Sequence, residues 1–159
     1  MSFLRFLILL SLIVWLGGLI FFPVVAQTAF SVLPTRHLAG SVVGRSLGIL
    51  HWMGMISAVV FLVSSLLLSR LSTGEAHALT PRNVLICVML LLTLISQFGM
   101  IPRMDAIRAS IGEIDAAPVD LPARMQFDAL HHWSTRIESG VLLFGLVVAY
   151  LTARFVSLT

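Results

Sequence analysis

The stretch FLILLSLIVWLGGLIFFPVVAQTAFSVL, residues 6–33, contains no charged side chain, and its reading decides the fold. Crossing the hydrocarbon core of a bilayer takes about 20 apolar residues, so this run reaches across a membrane with length to spare. The Arg5 flank and the small residues of VAQTA are features shared with secretory leaders. A leader's apolar region is only about 7 to 15 residues long, however, so the run reads as a retained spanning helix. Working outward, three further apolar runs are long enough to cross, at about 46–69, 84–101 and 133–156. The expectation is an all-α integral membrane four-helix bundle, with residues 1–159 forming a single four-span transmembrane domain.

Composition supports this and excludes other classes. Of 159 residues, 58% are apolar and 11% charged, with a mean hydropathy of +1.04. An ordinary soluble domain is about 25% charged. The cationic residues are all arginines, scattered singly from Arg5 to Arg154, with no run or patch to grip nucleic acid. Lipid headgroups and membrane topology account for them better, so the expected partner is the lipid bilayer. The one cysteine, Cys87, lies in an apolar run where a buried, inert thiol is expected, and it excludes an internal disulfide.

Local signals place the helix ends. Pro34 and Thr35 allow the second helix to begin before its apolar run, and Thr80-Pro81 offers a cap and first-turn proline for the third. After Pro102, RMDAIRASIG sets Met104, Ile107 and Ile111 on one side, which predicts a short interfacial helical extension ending at Gly112. The acidic EIDAAPVDLPA reads as a loop, and Asp120 with Pro122 as the start of the last helix. Counting arginines on the two sides gives near parity. The reading adopted is both termini in the cytoplasm, in a bacterial inner membrane.

The chemistry concentrates at the start of the last span, in Asp128, His131, His132, Thr135, Arg136, Glu138 and Ser139. At about 100° per residue these fall on one arc of about 160°, opposite Leu130, Trp133, Ile137 and Val141. Ionisable groups at membrane depth are costly and usually face a bundle interior with partners. Arg136 and Glu138 stand about 200° apart on the helix, so each must look to another helix or to water. The second helix offers the counterpart. Gly40, Gly44 and Gly48 form a small-residue stripe that lets a helix approach closely, and His51 follows one turn on. If His51 faces His131 or His132, two imidazoles could ligate a metal ion or a heme iron; if not, a hydrogen bond to a neighbouring carbonyl or hydroxyl satisfies it. Gln97, with Pro102 and Arg103 after it, either frees backbone groups for a ligand or marks a simple kink. Methionines at 53, 55, 89, 100, 104 and 125 form no tight copper(I) cluster and read as apolar filler.

Pro102-Arg103 after the third span, with Phe127-x-x-Leu130-His131-x-x-Ser134-x-x-x-Glu138 opening the fourth, resembles the transmembrane-protein-205-like proteins, an uncharacterised family. The resemblance implies matching roles for His131 and Ser134. Glu138 stands where that pattern carries an amide. The family is distantly similar to copper-resistance D proteins and to the bacterial heme-containing protoporphyrinogen oxidase. The lysine used by the latter has no counterpart here, so the fold analogy carries over and the activity does not.

Three functional classes follow. The leading one is a non-enzymatic membrane protein with a polar intramembrane pocket that binds or moves a small ligand or metal ion. Its residues would be His51, His131, Ser134, Arg136, Glu138, Arg45, Gln97 and Arg103, with His51, His131 and His132 as metal ligands. The second is a b-type heme redox protein using the same histidines. The third is a structural subunit of a larger membrane complex, or a homo-oligomer, docking through Gly40, Gly44 and Gly48.

Overall fold

In the computed structural model, which describes residues 1–157 and side chains through Arg154, the chain is helical from end to end and no strand occurs among the described residues. Helix α1 covers Ser2–Val32 and α2 covers Arg36–Thr73, a length of about 57 Å that overshoots a bilayer core of about 30 Å. Helix α3, Pro81–Leu94, runs through a π-helical segment, Ile95–Met100, into α4, Ile101–Ile111, so the third crossing is one interrupted rod. Helix α5, Pro122–Ser157, is the fourth. All four are long and apolar enough to cross, and the protein is a multi-pass membrane protein.

The caps lie where the sequence places them. Thr35 accepts from the Leu38 amide at 3.2 Å and Thr80 from the Asn83 amide at 3.4 Å, each satisfying an orphan donor of the first turn. Gly74 and Gly112 end α2 and α4 at φ 81° and 77°, a left-handed backbone that glycine adopts without strain. The connection after α4 is tied down by Arg124, which donates to the carbonyls of Asp115 and Ala117.

Packing order is up-down-up-down: α1 lies on α2, α2 on α3, α3 on α5, and α5 closes back on α1. Lipid is as apolar as leucine, so burial alone does not hold such helices together; close packing and interhelical hydrogen bonds must. Trp15, Phe61, Ile86, Met89, Val141 and Val148 fill the centre. Three glycines make that possible. A Cβ on Gly54 would overlap the Trp15 indole, one on Gly145 would lie 2.5 Å from a Leu16 methyl, and one on Gly18 would lie 2.6 Å from a Leu50 methyl. Close approach thus occurs at Gly18, Gly54 and Gly145, which carry no stripe pattern in sequence. Cys87, expected inside, is exposed on the outer side of α3.

The π segment has a local cause. Pro102 has no amide hydrogen to return to the carbonyl of Phe98, and its ring crowds that carbonyl. The ladder accommodates by widening, and the Ile101 amide reaches back five residues to Ser96. The amide of Gln97 is held within this widened turn.

Candidate functional site

Three helices meet at His51. Its side chain is 2% exposed, its Nδ1 lies 2.9 Å from Gln97 Oε1 on the π segment, and its Nε2 lies 2.7 Å from Glu138 Oε1 on α5. Arg45 and Arg103 bracket the apolar parts of their rods, and His51 and Gln97 each lie six residues inward, about 9 Å along the axis. A buried polar group at that depth demands partners, and His51 has one for each nitrogen. Both partner atoms are oxygens. With the Gln97 amide in this orientation both ring nitrogens would donate, to Gln97 and to the Glu138 carboxylate. Turning the Gln97 amide over presents its NH2 to Nδ1 instead and accommodates neutral His51, whose Nε2–H still donates to Glu138.

A second polar centre lies three turns away toward the start of α2. The Arg108 guanidinium of α4 lies against Gly40 and Gly44, where Cβ atoms would stand in ordinary contact with its nitrogens at 3.5 and 3.6 Å. It pairs with Asp105 at 3.3 Å and lies 5.4 Å over the Phe127 ring of α5. The glycine stripe thus admits an arginine of the same chain over its first two members. Gly48 has nothing within 4 Å.

Between the two centres runs a groove of about 430 Å³, lined by α2 and by the π segment and α4. Ser41, Arg45, Asp105 and Arg108 form its rim; Ile49, Trp52 and Ile101 its apolar walls; and Gln97 reaches it from the foot. Gln97 therefore belongs to both the groove and the His51 cluster.

The other expected site residues are dispersed. The inner face of α5 carries Ser134, Val141, Val148 and Thr152, so the polar arc does not turn inward as expected. Only its edge, at Glu138, meets the bundle. His131 and His132 are exposed, and His131 stacks on Phe127 with 2° between the rings. Arg136 leans back over Trp133, 5.2 Å from the ring, toward the helix start. Thr135 and Ser139 bond to carbonyls of their own helix, and Asp128 lies 4.0 Å from Arg124. The physical reason is solvation: headgroups and water serve these groups better than a dry interior. Ser134 is buried one turn before Glu138, and Arg103 is exposed on α4, outside the groove lining.

His51 is not brought to His131 or His132, and no cluster of three His, Cys, Asp or Glu side chains able to hold a metal occurs among the described residues. Nor is His51, as placed, free to ligate a heme iron. An axial ligand must give a ring nitrogen to iron, and both nitrogens of His51 are engaged. Arg108, Asp105 and Trp52 were not legible as groove residues. The one signal available was that a stripe of glycines can receive a long side chain as well as a helix.

No curated protein and no solved structure matches the chain. A family model described as a domain of unknown function, DUF4149, matches residues 10–113, which carry every groove residue together with His51 and Gln97, and end before Glu138. The match covers well over half of the chain, which therefore belongs to the DUF4149 family.

Proposed function

We propose that this is a ligand-handling membrane protein in which the groove takes up a small ligand and the His51–Glu138–Gln97 cluster at its foot exchanges a proton as the ligand comes and goes. The observation that supports the reading is Gln97, which bonds to His51 with one end of its amide and lies along the groove. When His51 is charged, Gln97 keeps its oxygen on Nδ1 and its NH2 is the end left for the groove. When His51 is neutral, the amide is reversed and an acceptor is left instead. Proton uptake and binding of an acceptor-bearing ligand then favour one another, and such coupling is reciprocal. The reading places both termini in the cytoplasm of a bacterial inner membrane, and includes the resemblance of Phe127–Glu138 to the transmembrane-protein-205-like proteins.

The test is nitrogen-15 NMR of labelled histidine in lipid nanodiscs, with His51→Gln to assign the signal. Two protonated ring nitrogens in mild acid, giving way to one in mild alkali, with the change displaced in Glu138→Gln, is the expected result. A single His51 tautomer across that range would leave the cluster as a structural tie and end the reading.

A further inference from the structure

The groove has the polarity of one class of molecule. Its rim carries two guanidiniums, Arg45 and Arg108, against one carboxylate, Asp105, a surplus of one positive charge. Arg108 is held by Asp105, Phe127 and the glycines, whereas Arg45 is exposed and without a partner among the described residues. The rim residues Ser41, Arg45, Asp105 and Arg108 flank the apolar runs 46–69 and 84–101, and the walls of Ile49, Trp52 and Ile101 lie toward those runs. Ile49 and Trp52 are 59% and 54% exposed, so these walls stay open to an occupant. At the foot, the Gln97 amide can donate or accept.

We infer that the groove binds an anionic glycerophospholipid, head at the rim and chains inward, and this rests on the ligand-handling reading above. The phosphate meets Arg45 and Arg108, whose guanidiniums match phosphate oxygens and recognise lipid headgroups in basic pockets between membrane helices. Ser41 and the uncovered backbone at Gly48 leave room for the glycerol. The ester carbonyls lie just inside the phosphate and accept from the Gln97 NH2. The acyl chains follow Ile49, Trp52 and Ile101. A volume of about 430 Å³ holds the headgroup, glycerol and first methylenes, within the usual range of about 300–1,000 Å³ for small-molecule sites. The rest of each chain stays in the bilayer. A free phosphate would use the rim alone and leave the apolar walls without a role.

Trp52 is a built-in reporter. The full chain is reconstituted in phosphatidylcholine nanodiscs containing rising fractions of chain-brominated phosphatidylglycerol or chain-brominated phosphatidylcholine. Quenching that disappears in Trp52→Phe is read as groove occupancy, and quenching that disappears in Trp133→Phe as general lipid contact. Phosphatidylglycerol should quench Trp52 at about fivefold lower mole fraction than phosphatidylcholine, the preference expected for one surplus charge near the membrane surface. Arg45→Gln, an exposed and unpaired position, should bring the two curves together without loss of folded protein. Coincident curves in the wild type, or a preference that survives Arg45→Gln, would overturn the inference. So would coincident lipid curves together with a phosphorus-31 signal of inorganic phosphate that broadens with the wild type and not with Arg45→Gln, since the occupant would then be the soluble anion. If the lipid preference is missing while the His51 proton transition persists, the lipid assignment fails and the proton-exchange reading stands. If the transition is missing while the preference persists, the reverse holds.

Discussion

Replacing Glu138 by alanine removes the acceptor from His51 Nε2 and leaves a ring nitrogen in a side chain that is 2% exposed. If the pair is ionised, the stranded imidazolium costs about 3–5 kcal/mol. If it is neutral, an unsatisfied donor costs about 1–3 kcal/mol. The single variant does not separate these cases, because cavity effects add to both. A double-mutant cycle does. Equilibrium unfolding in mixed micelles of wild type, Glu138→Ala, His51→Leu and the double variant isolates the pairwise term. Neutral interhelical hydrogen bonds in membrane proteins average about 0.6 kcal/mol in such cycles and reach about 1.7 kcal/mol. Glu138 is 16% exposed, so water screens the pair little, and a coupling of about 2–3 kcal/mol is expected. A coupling of about 1.7 kcal/mol or less in mild acid, within the range of neutral pairs, would refute the ionised pair and with it the proton-exchange chemistry.

Gly54→Ala should destabilise by about 1–3 kcal/mol, since its new methyl collides with Trp15, while Gly17→Ala, with nothing within 4 Å, should gain up to about 1 kcal/mol of helix propensity; unfolding midpoints in detergent compare them. Arg108→Ala gives up an ion pair and a cation–π contact, together about 1–2 kcal/mol, and should raise hydrogen exchange in α4 selectively; unchanged protection there would show that α4 docks without it. Pro102→Ala restores the missing amide and should let the π segment relax to α, turning Gln97 about 100° away from His51. The His51 Nδ1 resonance should move in that variant, and an unmoved one would show that the wide turn does not depend on the proline.

The spans were legible because each is a run of apolar residues with charges only at its ends, and such patterns have few alternatives in lipid. The caps at Thr35, Thr80 and Gly112 were legible because each is a local chemical device. That the polar arc of the last helix would look to the His51 face of α2 was legible from need, but Glu138 as the partner was not, since the expected partners were His131 and His132. The facing of α5 was not legible. A wheel gives the arc but not which edge turns inward, and here neighbouring helices claim the edge at Ser134 and Glu138 while headgroups take the rest. Nor was the π segment, because one added residue shifts everything after it by about 100° and Pro102 equally permits a kink. The Arg108 centre escaped for a third reason. The sequence offers Arg108 an i,i+3 partner in Asp105, but nothing in it announces that the pair lies against the glycines of α2.

The His51 cluster also has a place in time. Its members are 46 and 87 residues from His51 along the chain, and synthesis delivers them in that order. Glu138 is therefore the last of the three to be made, after α1, α2 and the third rod. The histidine waits, half satisfied, for the last helix. A chain truncated before α5 keeps an unanswered polar group in lipid, the kind of exposed defect by which an unfinished membrane protein is distinguished from a finished one. The bond to Glu138 can thus close only once the last helix has been made, so it exists only where all four helices do.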